Sequence, residues 1–223
     1  MSDIEVLRGV RREDVENALD HWKKVDPATR RAVLNGRELA LAGGVADAET
    51  LVGLRRAVEA GTRGVMELVS LVASVLIERD ETAFSLVREL AASPTAQGRV
   101  GALLCMPPHA LDVLVRPILG MLLNDRSKKV REMAIDWIDR HSLKQYLPLL
   151  EALLADESNP ALKELVARAI SLITNGYYVR REGGAVFVTI KMKVGIYGGA
   201  FDPEIARGLS DREIAEKFVS MNP

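Results

Sequence analysis

The chain is predicted to be mainly α: an α-helical solenoid of antiparallel helix pairs, ending in a small C-terminal antiparallel β-hairpin and a terminal helix. Three observations predict it. The segment 115–138 is echoed by 146–170, with Pro117 and Pro148, and Asp125 and Asp156, each 31 residues apart. Repetition at that period marks stacked helical pairs. Aromatic residues make up only 4% of the chain, and the apolar content is carried by Leu, Val and Ala, which suit close helix packing. After Asn175-Gly176 the apolar period changes from helical to two, which is the strand signature.

The elements run in order along the chain. A first helix is expected over 13–24, where Val15, Ala18, Leu19 and Trp22 share a face. Asp26-Pro27 reads as an N-cap and a first-turn proline. The second helix carries Ala32, Val33 and Leu39 and stops at Gly43-Gly44, with Gly36 weakening its middle. A third spans 47–61. A fourth, 62–79, is apolar on most of its circumference and is expected to be the central helix of the N-terminal half. A helix over 80–92 buries Phe84, Val87 and Leu90. Ser93-Pro94 opens the next, which Pro107-Pro108 ends.

The clear repeats are 109–141 and 142–174, with 80–106 as a degenerate copy. In the helix over 128–140, Val130, Met133, Ala134, Trp137 and Ile138 lie on one side and charged residues on the other. Asp136 and Arg140 form an i,i+4 pair worth about 0.3–0.5 kcal/mol. Pro117 and Pro148 are expected inside their helices, bending both at the same place.

These two units resemble HEAT repeats. The carriers are a proline and a Leu-rich end in the first helix, then Asp125, Val130 and Arg131 around the turn. In the next unit Asp156, Leu162 and Lys163 stand at those positions. The match covers about 60 residues, and a weaker echo reaches back to residue 80. The resemblance implies an α-solenoid used as a binding surface, and no reaction. The expected organisation is an N-terminal helical region (1–79), HEAT-like repeats (80–174), and a β-hairpin and helix packed on the solenoid end (175–223).

In the C-terminal segment, Gly183-Gly184 between two alternating runs signals a hairpin, pairing Val179 with Val188 and Tyr177 with Ile190. The Val/Ile face of this hairpin is expected to cover the last helix pair. Gly195 and Gly198-Gly199 break up the stretch after the hairpin, and Ser210-Asp-Arg-Glu213 is a capping box opening a last helix.

Bulk properties narrow the chemistry. The formal net charge is −1, so no overall field draws the chain to nucleic acid or anionic lipid. The N-terminus carries no secretory pattern, the longest apolar stretch is too short to span a bilayer, and one cysteine suits a reducing compartment. A cytoplasmic protein with no membrane contact is expected. His21, His109 and His141 have no ligand spacing, and Cys105 lies on an apolar helix, so no metal, cofactor or catalytic residue is expected. The glycine runs border strands and are not phosphate loops.

The expected function is therefore a non-enzymatic protein-interaction scaffold or adaptor. Its candidate surface is Lys128, Arg131 and Lys163 on the repeats, with Arg180, Lys191 and Lys193 on the hairpin. The alternative is a nucleic-acid-binding HEAT-like protein of the DNA-glycosylase kind, which would present an Asp beside Trp137. That reading is disfavoured by the net charge and by the place of Trp137 on an apolar face. Self-association through the hairpin is a third expectation. The partner is expected to be another protein.

Overall fold

The computed structural model describes residues 3–23, 25–192 and 195–222. Its described residues form thirteen α-helices and one three-stranded antiparallel sheet. They group into two compact units, Met1–Ala134 and Ile135–Pro223.

In the first unit, α1 (Asp3–Gly9) and α2 (Arg12–His21) precede α3 (Pro27–Ala42). The carboxylate of Asp26 accepts the Thr29 amide, Pro27 occupies the first turn, and Gly43 closes the helix in the left-handed region at φ 78°. The next helix, α4 (Ala48–Ala60), is capped in the same way by Asp47. Gly36 and Gly53 explain how closely α3 and α4 approach. A Cβ on Gly53 would sit 2.1 Å from that of Ala32, and one on Gly36 would touch Leu54 and Thr50 at 3.4 Å. The glycine that weakens α3 locally thus serves its packing.

As expected, α5 (Arg63–Arg79) is the central helix. It touches α1, α2, α3, α4 and α7, and buries a run from Val72 to Ile77. A 3-10 turn, Glu81–Phe84, leads into α6 (Ser85–Ala91). The cap of α7 (Ala96–Cys105) is Thr95, whose hydroxyl accepts the Gly98 amide; Ser93 supports it from two residues back. Then come α8 (Asp112–Leu123), with Pro117 in its interior, and α9 (Lys128–Arg140).

In the second unit a 3-10 turn, Lys144–Tyr146, precedes α10 (Leu147–Asp156). This corrects one expectation. Pro148 lies in the first turn of α10, where a missing amide costs nothing, so it is not the interior kink that Pro117 is. Asn159 caps α11 (Pro160–Asn175), which ends at Gly176 with φ 81°.

The sheet order is β1 (Tyr177–Glu182), β2 (Ala185–Met192), β3 (Gly195–Phe201). Tyr177 faces Ile190 and Val179 faces Val188, the register read from the sequence. Gly183 and Gly184 both have positive φ, 57° and 81°, which the tight turn requires. The glycine-rich segment after β2, expected to interrupt the chain, is instead a third strand. Two short connections lead to α12 (Pro203–Ala206) and α13 (Asp211–Met221), the latter opened by the Ser210–Glu213 capping box.

The apolar face of the sheet is covered differently from expectation. Val186, Val188 and Ile190 pack with Phe201, Ala206, Ile214 and Ala215, and Phe218 flanks them. The strands are therefore covered by their own C-terminal extension and not by the α10–α11 pair. Tyr178, Arg180, Phe187 and Thr189, on the opposite face, look over α11.

Candidate functional site

The predicted surface residues differ in their local surroundings. Lys128 is exposed and lies 3.5 Å from Glu132. Arg131 is half-buried, and its guanidinium donates to the Asp125 carbonyl at 2.7 Å. Lys163 is exposed on the first turn of α11. Arg180 lies over the Phe187 ring at 4.9 Å and has Glu182 at 3.3 Å and Glu164 at 3.8 Å. Lys193 lies outside the described residues.

Lys191 turns inward. Only 17% of its side chain is exposed, and its ammonium donates to the carboxylate of Asp139 at 3.1 Å and to the Asp139 carbonyl. Asp139 is 3% exposed at its side chain, so this is a buried pair tying β2 to the end of α9. Trp137 is also interior, at 6% exposure, edge-on to His141 and near Tyr146. Neither acid near Trp137 stands alone: Asp136 pairs with Arg140 and Asp139 with Lys191.

A second buried pair has no signal in the local sequence. Arg99 grips Asp125 with two nitrogens, at 2.6 and 3.0 Å, and donates through a third to the carbonyls of Ser93 and Pro94. Arg99 stands 32 residues before Arg131. Each donates to the carbonyl six residues earlier, in the turn that opens its helix. The turns that open α7 and α9 thus share one device.

Two concave features of the second unit flank β3. On one face of the sheet, a groove of about 540 Å³ runs between the strands and α11. Its charged and aromatic lining is Glu164, Arg168, Tyr178, Arg180 and Phe187, and Gly198 and Ala200 form its outer floor. Burial and the adjacent Glu164 carboxylate push the Tyr178 phenol up to about 12, so it remains protonated. The Nε of Arg168 is buried without a hydrogen-bond partner. Arg37 and Arg55 share that defect, but Arg37 also donates to Glu38 and to the Val10 carbonyl, and Arg55 to Glu89. Among the described residues no carboxylate or carbonyl holds Arg168.

On the other face, a cleft of about 440 Å³ is lined by Ile190, Met192, Tyr197, Phe218 and Val219. Gly198 borders both the groove and the cleft. Between them β3 forms the end of the sheet, and residues 196–200 are exposed in succession.

Other candidates have core roles. Cys105 is fully buried, and burial pushes its thiol up to about 12, against a small opposing effect of the Ser70 hydroxyl. Among the described residues no three His, Cys, Asp or Glu side chains are grouped to hold a metal ion, and no helix is long and apolar enough to cross a membrane. No family model and no curated protein matches the chain.

Proposed function

We propose that the chain is a non-enzymatic interaction scaffold of the cytoplasm, in which HEAT-like helical pairs form the support and the C-terminal sheet is the main docking element. The shared turn device of Arg99 and Arg131 supports the repeat reading. The single observation that carries the docking reading is the outer edge of β3. Exposed strand edges pair readily with other chains, and proteins usually blunt them with charge, proline or a covering segment. The segment Gly195–Phe201 has no charge and no proline, and among the described residues no strand pairs with its outer side. Ile196 and Tyr197 on it are each 49% exposed. An edge left bare in this way is suited to a partner. The exposed cations Lys128 and Lys163 on the helices are secondary contacts in this reading.

The test compares wild type with an Ile196→Lys/Tyr197→Lys double variant in quantitative affinity capture after cross-linking in host cells. Both are first shown to melt at the same temperature. A discrete set of proteins is expected on wild type and lost from the double variant, with a smaller loss from Lys128→Glu/Lys163→Glu. Equal capture by wild type and the edge variant would overturn the assignment of the edge.

A further inference from the structure

Resting on the docking reading above, we propose the chemistry of the partner: an extended peptide segment, with acidic and apolar side chains in alternation, that adds to the outer edge of β3 as a fourth strand. Successive side chains of a strand point to opposite faces of a sheet. A strand laid beside β3 therefore sends every second side chain over the groove and the others over the cleft. The two recesses differ in chemistry. The groove holds Arg168, whose guanidinium has no partner among the described residues, beside Arg180 stacked on Phe187. Glu164 is in the same groove, but it is engaged by Arg180 and Tyr178. The cation left over is Arg168, and a carboxylate is the natural complement to its planar fork. The cleft is lined by Ile190, Met192, Phe218 and Val219, with Tyr197 at its rim, and takes an apolar side chain.

The sequence of β3 makes the edge accessible. Gly198 and Ala200 face the groove, so almost no side chain walls it off from a strand arriving at the edge. Main-chain hydrogen bonds would hold such a segment, and the two recesses would select its side chains. A second copy of this chain is a poor occupant. Its own β3 would offer only Ile196, Gly198 and Ala200, or Tyr197 and Gly199, and brings no carboxylate to Arg168.

The probes are fluorescein-labelled, N-acetylated decapeptides alternating Glu with Val, or Lys with Val, titrated with the full chain and read by anisotropy. Two further Glu/Val peptides carry N-methyl groups on every Glu amide or on every Val amide. Consecutive amides of a strand point to opposite edges, so each of these blocks one edge only. Saturable binding of the Glu/Val peptide is expected, with the Lys/Val peptide weaker by about tenfold or more. One N-methylated peptide should bind and the other should not. Arg168→Gln should remove the preference for Glu over Lys while leaving residual binding that the same N-methylation abolishes. Equal binding of Glu/Val and Lys/Val peptides, still blocked by one N-methylation, would overturn the acidic partner and leave the docking edge standing. Binding insensitive to both methylations would overturn strand addition. No binding of any peptide, with capture by the Ile196→Lys/Tyr197→Lys variant unchanged, would overturn both readings. A dimer that this variant disperses and the Glu/Val peptide does not would put a second copy on the edge and overturn the proposal.

Discussion

Arg99 in the first unit is buried and Arg168 in the second is half-buried, both on helices, and they differ in what surrounds them. Arg99 has a carboxylate and two carbonyls arranged around its guanidinium, so its burial leaves no donor wanting there. Arg168 has a buried Nε with no partner, in a groove that opens beside a bare strand edge. The first is part of a turn that closes a helical pair. The second is left with a donor that no described residue satisfies. The depth of an arginine therefore tells little until its donors are counted.

The largest effect expected from breaking this comparison is at Arg99. Arg99→Ala leaves Asp125, only 8% exposed at its side chain, as an unpaired buried charge. A loss of about 3–5 kcal/mol is expected in urea unfolding followed by far-UV circular dichroism. The same pair has a pH signature. Burial pushes the Asp125 carboxyl up, but Arg99 and the Ser127 amide more than offset this and hold it below its ordinary value. A carboxyl depressed in the folded state binds its proton more readily when unfolded. Its contribution is therefore complete above the unfolded value near about 4 and is lost as pH falls through the lower folded value. Thermal melts between neutral pH and about pH 3 should show an acid-side fall in Tm that Arg99→Ala reduces.

A smaller effect is expected at Lys191, which keeps 17% exposure. Lys191→Ala should cost about 3 kcal/mol because Asp139 stays buried, and Asp139→Asn in the same chain should recover part of that loss. The smallest effect is at Arg168. Arg168→Gln should change stability by no more than about 0.5 kcal/mol, since it removes no contact that the fold uses. If instead it destabilised the chain as strongly as Arg99→Ala, Arg168 would be structural and the contrast would collapse. Glu164→Gln sharpens the groove itself. Absorbance titration should show the Tyr178 phenol falling from about 12 toward, though not reaching, its ordinary value, because burial remains when the carboxylate is gone.

The parts of the fold set by local chemistry could be read from the residues. Asp26-Pro27, Asp47 and Ser210 cap their helices as their sequences require. Gly183-Gly184 fixes both the turn and the register of β1 and β2. Features set by distant parts of the chain could not. The period-two run of β2 showed that Val186, Val188 and Ile190 share a face, but not that α13 would cover it. For the same reason Lys191 looked exposed, when its partner lies 52 residues away. Gly198-Gly199 argued against a strand because glycine contributes little to a pleated surface, yet pairing with β2 places it in one, where a Cβ on Gly199 would meet the Phe218 ring at 3.4 Å. Pro148 misled because proline marks both a kink and a first turn, and only the position of the preceding turn distinguishes them. Of the candidate site, Arg180 and Lys191 were named on the correct strands. The missing partner of Arg168 had no local signal.

The near absence of side chains in β3 also bears on its alignment. Gly198, Gly199 and Ala200 give the strand almost nothing with which to measure its own position, so alignment falls to its far end. There Phe201 is buried to 5% exposure opposite Val186, and its ring lies 6.5 Å from that of Phe218. Phe201 is the indexing pin of the strand. A slip of one place would exchange the two faces and hand each recess the wrong half of any strand laid alongside. The reading frame of the proposed docking edge is thus kept by a phenylalanine buried at its far end.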